Sequence, residues 1–465
     1  MPLSPRLQSS RANRSRLSAA ALAVLLGLGT ALSVRAQSLQ ELYQAAQGYD
    51  ASYLAARASL EAAQYRYDQA RGVRLPQVGL GVSAGRQLSS SPDSPSTKEA
   101  NTSSATATLN ASQTLFNRPN DVTIMQAEKA VDAYRSDLQA AEQDLILRVS
   151  QAYFDVLAAQ DNLATARASL AAISEQVASA KRNFEVGTAT ITDTREAEAR
   201  HDLARFTQIQ AENDLTTKRI LLDQTVGQAN LAPKQLAIPV AMPPLTPANV
   251  DEWVARADAE HPAIRKARIA FEIARLETDK AKAGSLPTVT LNGSHGRGRS
   301  RAHLVVPGAP AGDDQVVNYS TPTTVSTVSV NLSMPLFAGF QIQNRVKETL
   351  VLEDKSRNDL DATQRGVNQL TRQLYYQVGS AAAQVSALEA AESSSKLALE
   401  ATQLGFKVGV RVNIDVLNAQ AQLYTTQAQL AKARYDLIMA GLRLRQASGR
   451  LTPEDVAAVN GLLVR

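Results

Sequence analysis

A serine between two glycines is the first residue pattern in this chain that could do chemistry. Gly81-Val82-Ser83-Ala84-Gly85 fits G-x-S-x-G, the pattern of a nucleophile held on a sharp strand-to-helix turn. The surrounding residues alternate apolar and small polar, and a polar stretch follows, so the pattern reads as small side chains on one face of a strand. The four histidines, His201, His261, His295 and His303, show no metal-ligand spacing. There is no cysteine, which excludes disulfides, thiolate metal sites and a lipid-anchored cysteine. Asn110, Asn292 and Asn318 start sequon-like triplets, which Ser/Thr-rich strands generate by chance. "GSHGRGRSR", Gly293 to Arg301, is basic enough to attract phosphate but reads as a solvated external loop. No convergent polar cluster points to an enzyme, and no cofactor is implied.

What recurs is an acidic motif. "FEVGTATITD" runs from Phe184 to Asp193, and "FKVGVRVNID" runs from Phe406 to Asp415, 222 residues later. Carboxylates in this position can cap a helix, which is the simpler role for Asp193 and Asp415.

The elements that hold these motifs follow from composition and periodicity. Arg6, Arg11, Arg14 and Arg16 precede an apolar run from Leu17 to Leu32, and "VRA" ends at Ala36, so residues 1–36 read as a signal peptide. The formal charge of +5 is matched by the five Arg of this segment, leaving the remainder neutral. That removes the main support for a nucleic-acid partner. No later stretch reaches the ~18 consecutive apolar residues of a spanning helix, so an exported chain either stays in solution or spans a membrane by strands.

The chain is written twice. Leu75-Pro76 answers Leu286-Pro287, Phe116 answers Phe337, Tyr153 answers Tyr375, and Gly227 answers Gly449. Repeat 1 is read as residues 37–228 and repeat 2 as 250–452, joined by a Pro-rich connector at 229–249 and followed by a tail at 453–465. Each repeat holds two alternating segments around a polar Gly/Pro/Ser-rich stretch, read as strands of roughly 10 residues at about 77–88, 104–115, 287–298 and 323–335. Each has an apolar face and a small polar face, the weak signature of transmembrane β-strands.

The rest is helical. Asp121 to Val186 contains neither Gly nor Pro, and 66 residues at 1.5 Å make a rod of about 100 Å. From Val149, apolar residues or alanine recur in alternating steps of three and four to Phe184, a coiled-coil seam. Gly187 and Gly409 fit the left-handed position that ends a helix, and "DTRE" from Asp193 resembles a capping box that starts the next. The motif is thus a turn between long antiparallel helices, placed at 187–192 and 409–414. A further helical stretch is expected from Val250 to Lys282. The fold class is mainly α with a transmembrane β-barrel, built from a duplicated helix-strand-strand-helix unit. Four strands cannot close a barrel, so closure requires other chains, with two, three or four copies all possible from this argument.

The chain closely resembles the TolC family of outer membrane efflux and type I secretion proteins. "PQVGLGV" at Pro76, "AYFDVLAAQDNL" at Ala152, "FEVGTATITDTREAEA" at Phe184 and the stretch from Val408 to Leu451 carry the likeness. The resemblance implies a homotrimer, a 12-stranded barrel in outer-membrane lipid and a periplasmic helical tunnel. It also implies a periplasmic adaptor (membrane fusion) protein and an inner-membrane ABC or proton-driven transporter as partners. By the same resemblance Thr192, Asp193, Phe406 and Arg411 form a periplasmic gate network, with Asp193 meeting Arg411 of a neighbouring chain. Asp415 and Asn418 line the pore constriction. Val186-Gly187-Thr188 and Val408-Gly409-Val410 are the adaptor-docking hairpin tips. The family prototype has Tyr where this chain has Phe406 and an acidic residue at Asn418, so a looser, less negative gate is expected. The alternative is a periplasmic structural or adaptor coiled-coil protein without a barrel, which leaves the duplicated strand pairs unexplained.

Overall fold

The computed structural model describes residues 36–91, 93–94, 96–237, 246–307 and 313–464. The expected signal peptide, apart from Ala36, and positions 238–245 of the connector lie outside these described residues. The described chain begins with α1 (Leu39–Gln47) and α2 (Ala51–Gly72), followed by β1 (Gln77–Ser90), β2 (Glu99–Phe116), α3 (Arg118–Glu185) and α4 (Ile191–Val226). Repeat 2 follows as α5 (Val250–Glu260), α6 (Pro262–Ala283), β3 (Thr288–Val306), β4 (Gln315–Ser333), α7 (Gln341–Lys407) and α8 (Asn413–Ala447), with α9 (Pro453–Asn460) after it.

The four strands form one antiparallel sheet in the order β1-β2-β3-β4, with β1 and β4 at its edges. They run longer than the alternation suggests. Strands expected to end near 88 and 298 continue to Ser90 and Val306, and those expected to begin near 104 and 323 begin at Glu99 and Gln315. Stretches read as loops because they are polar, "GSHGRGRSR" included, pair residue by residue with neighbouring strands. The hydrogen-bond ladder satisfies the backbone whatever the side chains are, so polarity does not end a strand.

Register assigns the faces. Val82, Ala107, Arg297 and Thr324 lie across from one another on one face, and Gly81, Thr108, Gly296 and Val325 on the other. The first face carries Val78, Leu80, Val82, Val328, Val330 and Leu332, all well exposed. The second is small and polar, and Ser83, opposite Thr106, sits on it in unbroken strand with no nucleophile turn.

Below the sheet the helices pair. α3 packs on α2 and α6 in its upper half and on α4 below, while α7 meets α6, α5 and α8. A core of Leu145, Ile146, Val149, Tyr153, Phe154, Leu157, Leu222, Ile438 and Leu442 joins the two repeats at mid-height, with Leu39 and Leu42 of α1 closing it. The stretch expected as one helix from Val250 to Lys282 is two, because Pro262 offers no N–H and holds His261 extended at ψ 126°. The tail is also structured, its α9 opening with a capping box between Thr452 and Asp455.

Candidate functional site

The repeated motifs sit at the ends of the two long hairpins, α3–α4 and α7–α8. α3 stops because Gly187 takes φ +79°, with Thr188 N–H donating to Asn183 O at 2.8 Å and Gly187 N–H to Phe184 O at 3.0 Å. α7 stops in the same way at Gly409, φ +82°, with Val410 N–H reaching Gly405 O at 2.9 Å. The flanking Val186, Val408 and Val410 are 72%, 65% and 79% exposed, so the tips present an apolar surface that the chain does not cover.

The turns are shifted from the expected 187–192 and 409–414. Helix resumes at Ile191 and Asn413, two residues sooner in each case. The reason is the cap. Thr190, not Asp193, caps α4, and Asp193 closes the box from the third helical position. Its carboxylate accepts from Thr190 N at 2.9 Å and Thr190 Oγ1 at 2.7 Å. Asp415 also stands third in its helix, after Val412, which supplies no side-chain cap. Neither aspartate is an N-cap, and "DTRE" is not the capping box.

Within one chain, Arg411 Nη1 lies 3.5 Å from Asp415 Oδ2, and both are partly exposed. Thr192 is exposed, and Phe406 is half-buried near the end of α7. Arg411 folds back over Gly405, where an added Cβ would stand 2.8 Å from its Cγ. Asn418 accepts from Arg200 of α4 at 3.2 Å. Gln176 of α3 donates to Asn413, and Leu417 packs with Ile173, Ala180, Ala197 and Ala204 of the first hairpin. The structure therefore brings Arg411 to Asp415, and Asn418 to repeat 1. Arg200, Gln176, Asn413, Leu417 and Gly405 were not foreseen; Leu417 follows Asp415 by two residues in an apolar face, but nothing in the local pattern marks its partners.

At mid-height, Tyr435 of α8 donates to Asp161 of α3 at 2.6 Å, and its ring lies 5.8 Å from that of Phe154. Burial pushes the Asp161 carboxyl above the usual carboxylate range, against the hydrogen bond from Tyr435 and the nearby Arg434. Asp50, which caps α2, is held below that range chiefly by hydrogen bonds from Arg148, at 2.7 and 3.0 Å.

Residues 42–228 and 253–450 match the outer membrane efflux protein family. The chain belongs to this family. It is 34% identical over 446 residues to Outer membrane protein TolC of Vibrio cholerae, covering 94% of this chain and 97% of that protein. It is also 34% identical over 340 residues to the alkaline protease secretion protein AprF of Pseudomonas aeruginosa, covering 72% and 67%. The fold matches the crystal structure of the outer membrane protein VceC of Vibrio cholerae, with TM-score 0.73 at 20% identity over 88% of this chain and 96% of that one. It also matches CusC, with TM-score 0.75 at 17% identity over 89% and 92%. As an outer membrane efflux protein the chain is an outer-membrane transport channel with its helical part in the periplasm, and the adaptor-type alternative without a barrel is set aside.

Proposed function

We propose that three copies close their sheets into one 12-stranded barrel and their hairpins into one tunnel, forming the exit duct of an efflux or type I secretion assembly. The observation that carries this reading is the open sheet. Its edges β1 and β4 lie beside an exposed apolar face, and lipid leaves unpaired edge groups unsatisfied at several kcal/mol each. Phe116, Phe337 and Phe340, all exposed, lie where strands give way to helices, as aromatic residues do at a membrane interface. Leu203, Phe206 and Ile209 on α4, and Leu397 and Leu404 on α7, are exposed apolar residues suited to a neighbouring chain.

In this reading the hairpin tips Val186-Gly187-Thr188 and Val408-Gly409-Val410 dock a periplasmic adaptor, and an inner-membrane ABC or proton-driven transporter delivers the cargo. Thr192, Asp193, Phe406 and Arg411 form the gate, with Arg411 shared between its own Asp415 and Asp193 of the next subunit; Asp415 and Asn418 ring the constriction. The name of AprF supports protein as one cargo class. Purification in mild detergent should give a particle of three mature chains whose barrel migrates heat-modifiably on gels. A stable, monodisperse monomer without detergent would overturn the architecture.

A further inference from the structure

Every arginine in the sheet lies on one face. Arg86 of β1 is opposite Ser103, and Ser103 is opposite Arg301, so Arg86 and Arg301 share a face with Arg299 and Arg297, two and four residues before Arg301. His295 and His303 continue the same row. This is the face of Val78, Leu80 and Val82, whereas the opposite face carries Gly296, Gly298, Ser300 and Ala302 on β3. Gly296 and Ala302 are buried while Arg297, Arg299 and Arg301 are exposed, and a Cβ on Gly296 would meet Thr108 Oγ1 at 3.0 Å. The sheet therefore curls toward the glycine side and away from the arginines. A closed barrel keeps small polar residues toward its lumen and apolar residues toward lipid, so the arginine row points outward.

Its height is also set. The β1–β2 and β3–β4 turns lie at the sheet end away from the helices, so the distal half belongs to the outer leaflet if the helices are periplasmic. Arg297 and Arg301 stand nine and thirteen residues beyond Thr288, the helix-side start of β3. At ~3.3 Å per residue and a ~40° tilt, that is about 23 and 33 Å above the sheet's helix-side end. An apolar band is ~25 Å tall, so the arginines of the row begin at its upper edge. The proximal part of the face, Val78 to Ala84 and Val328 to Leu332, is apolar. Glu99 is the one acidic residue within the four strands, and among the described residues no carboxylate pairs with Arg297, Arg299 or Arg301. Arg86, Asn101, Ser103, Arg301, His303 and Asn318 border a shallow groove on this side, with Arg86 Nε donating to Asn101 at 2.8 Å.

We propose that this row binds the phosphate groups of lipid headgroups in the outer leaflet, with Arg297, Arg299 and Arg301 as the principal ligands and Arg86 completing the groove. Guanidinium donates two parallel hydrogen bonds to a phosphate, and unpaired cations at the edge of an apolar band attract anionic headgroups. The proposal rests on the barrel reading above, and the experiment separates the two.

The detergent-solubilised mature protein is mixed with bisphosphorylated lipid A, and bound lipid is counted by native mass spectrometry. The parent should bind lipid A. Combined R297Q, R299Q and R301Q should weaken binding by at least about tenfold, while combined R297K, R299K and R301K should lose much less. Dephosphorylated lipid A should bind no better to the parent than lipid A does to the glutamine variant, and inorganic phosphate alone should not bind. A folded, heat-modifiable barrel whose glutamine variant binds lipid A as the parent does refutes the row and leaves the barrel intact. The same holds if that variant changes ion selectivity across a planar bilayer with lipid binding unchanged, since the row would then line the lumen. Binding of free phosphate in place of lipid refutes the lipid assignment, and failure to form a heat-modifiable barrel refutes the barrel reading and the row with it.

Discussion

Removing Arg411 should open the channel. Its guanidinium lies 3.5 Å from Asp415, with the two side chains 59% and 35% exposed, so water and ions screen the attraction. A pair this hydrated contributes about 0.2–1 kcal/mol. In a trimer with an equivalent contact to the neighbouring Asp193, three additive copies reach about 3 kcal/mol, roughly a hundredfold in the closed-to-open ratio. Arg411→Ser should raise single-channel conductance in planar bilayers and sensitise cells to large antibiotics. Asp193→Asn should act in the same direction, because an amide oxygen can still accept the Thr190 N–H that closes the cap, now at 2.9 Å, while the charge is gone.

Gly405→Ala supplies a third route that leaves every charge in place. The new Cβ would lie 2.8 Å from Arg411 Cγ and 3.5 Å from its Cβ, so the arginine must leave its present course. Alanine also favours a helix interior over glycine by roughly 1 kcal/mol, so the hairpin should remain folded. Conductance should rise less than for Arg411→Ser. If Arg411→Ser and Asp193→Asn both conduct like the parent in correctly inserted trimers, the repeated motif is only a turn.

Replacing Gly409 by a large residue meets no atom within 4 Å but must hold φ near +82°, at a cost of about 1 kcal/mol; export should fail while the trimer and its basal conductance persist. Asp415→Ala should reduce cation preference, read as a shift in reversal potential. Restoring tyrosine at Phe406 should lower conductance by returning a hydroxyl donor near the gate. Because burial raises the Asp161 pKa, folding takes up protons between the unfolded and folded values, so this group weakens stability as pH rises through that window. Asp161→Asn should therefore raise the melting temperature at pH 7 and give less benefit below pH ~4, and a lower melting temperature at pH 7 would contradict the burial argument.

The duplication, the four strands and the long helices were legible because period-2 and period-3.6 patterns survive along them. Strand ends were not, since the far rungs of the ladder lose the apolar/polar alternation, with arginines where an apolar face is expected and then the unbroken run Leu304-Val305-Val306, and only pairing reveals them. "GSHGRGRSR" shows this best: its alternation of Gly or Ser with Arg has period 2, but without an apolar face it reads as loop. Asp193 belongs to a capping box but not at the position read from the sequence, because Thr190, three residues earlier, takes the cap. Contacts of Asn418 and Leu417 with the first repeat lie more than 200 residues away in sequence, and no local period encodes them.

Those long-range contacts indicate where an opening motion can occur. At mid-height the repeats are joined by large side chains, with Phe154 against Tyr435 and a partly buried Tyr435–Asp161 hydrogen bond. Near the tips, α8 meets the first hairpin through Leu417 against Ile173 and three alanines, and through the polar pairs Gln176–Asn413 and Arg200–Asn418. Alanine buries little apolar area per turn, so this seam contributes far less than the mid-height core. α7 has no buried residue beyond Val378, so its lower half depends on α8 and on neighbouring chains. Low-stability segments are the ones that move at low energetic cost. If the second hairpin swings to open the tunnel, this difference in packing puts the hinge below Tyr435, with the barrel and the mid-height core fixed. Leu417→Ala removes the one large apolar side chain that α8 contributes to that seam and should increase conductance with little change in melting temperature, whereas Tyr435→Phe should lower the melting temperature and leave conductance near the parent value. The reverse pattern would place the hinge above the core.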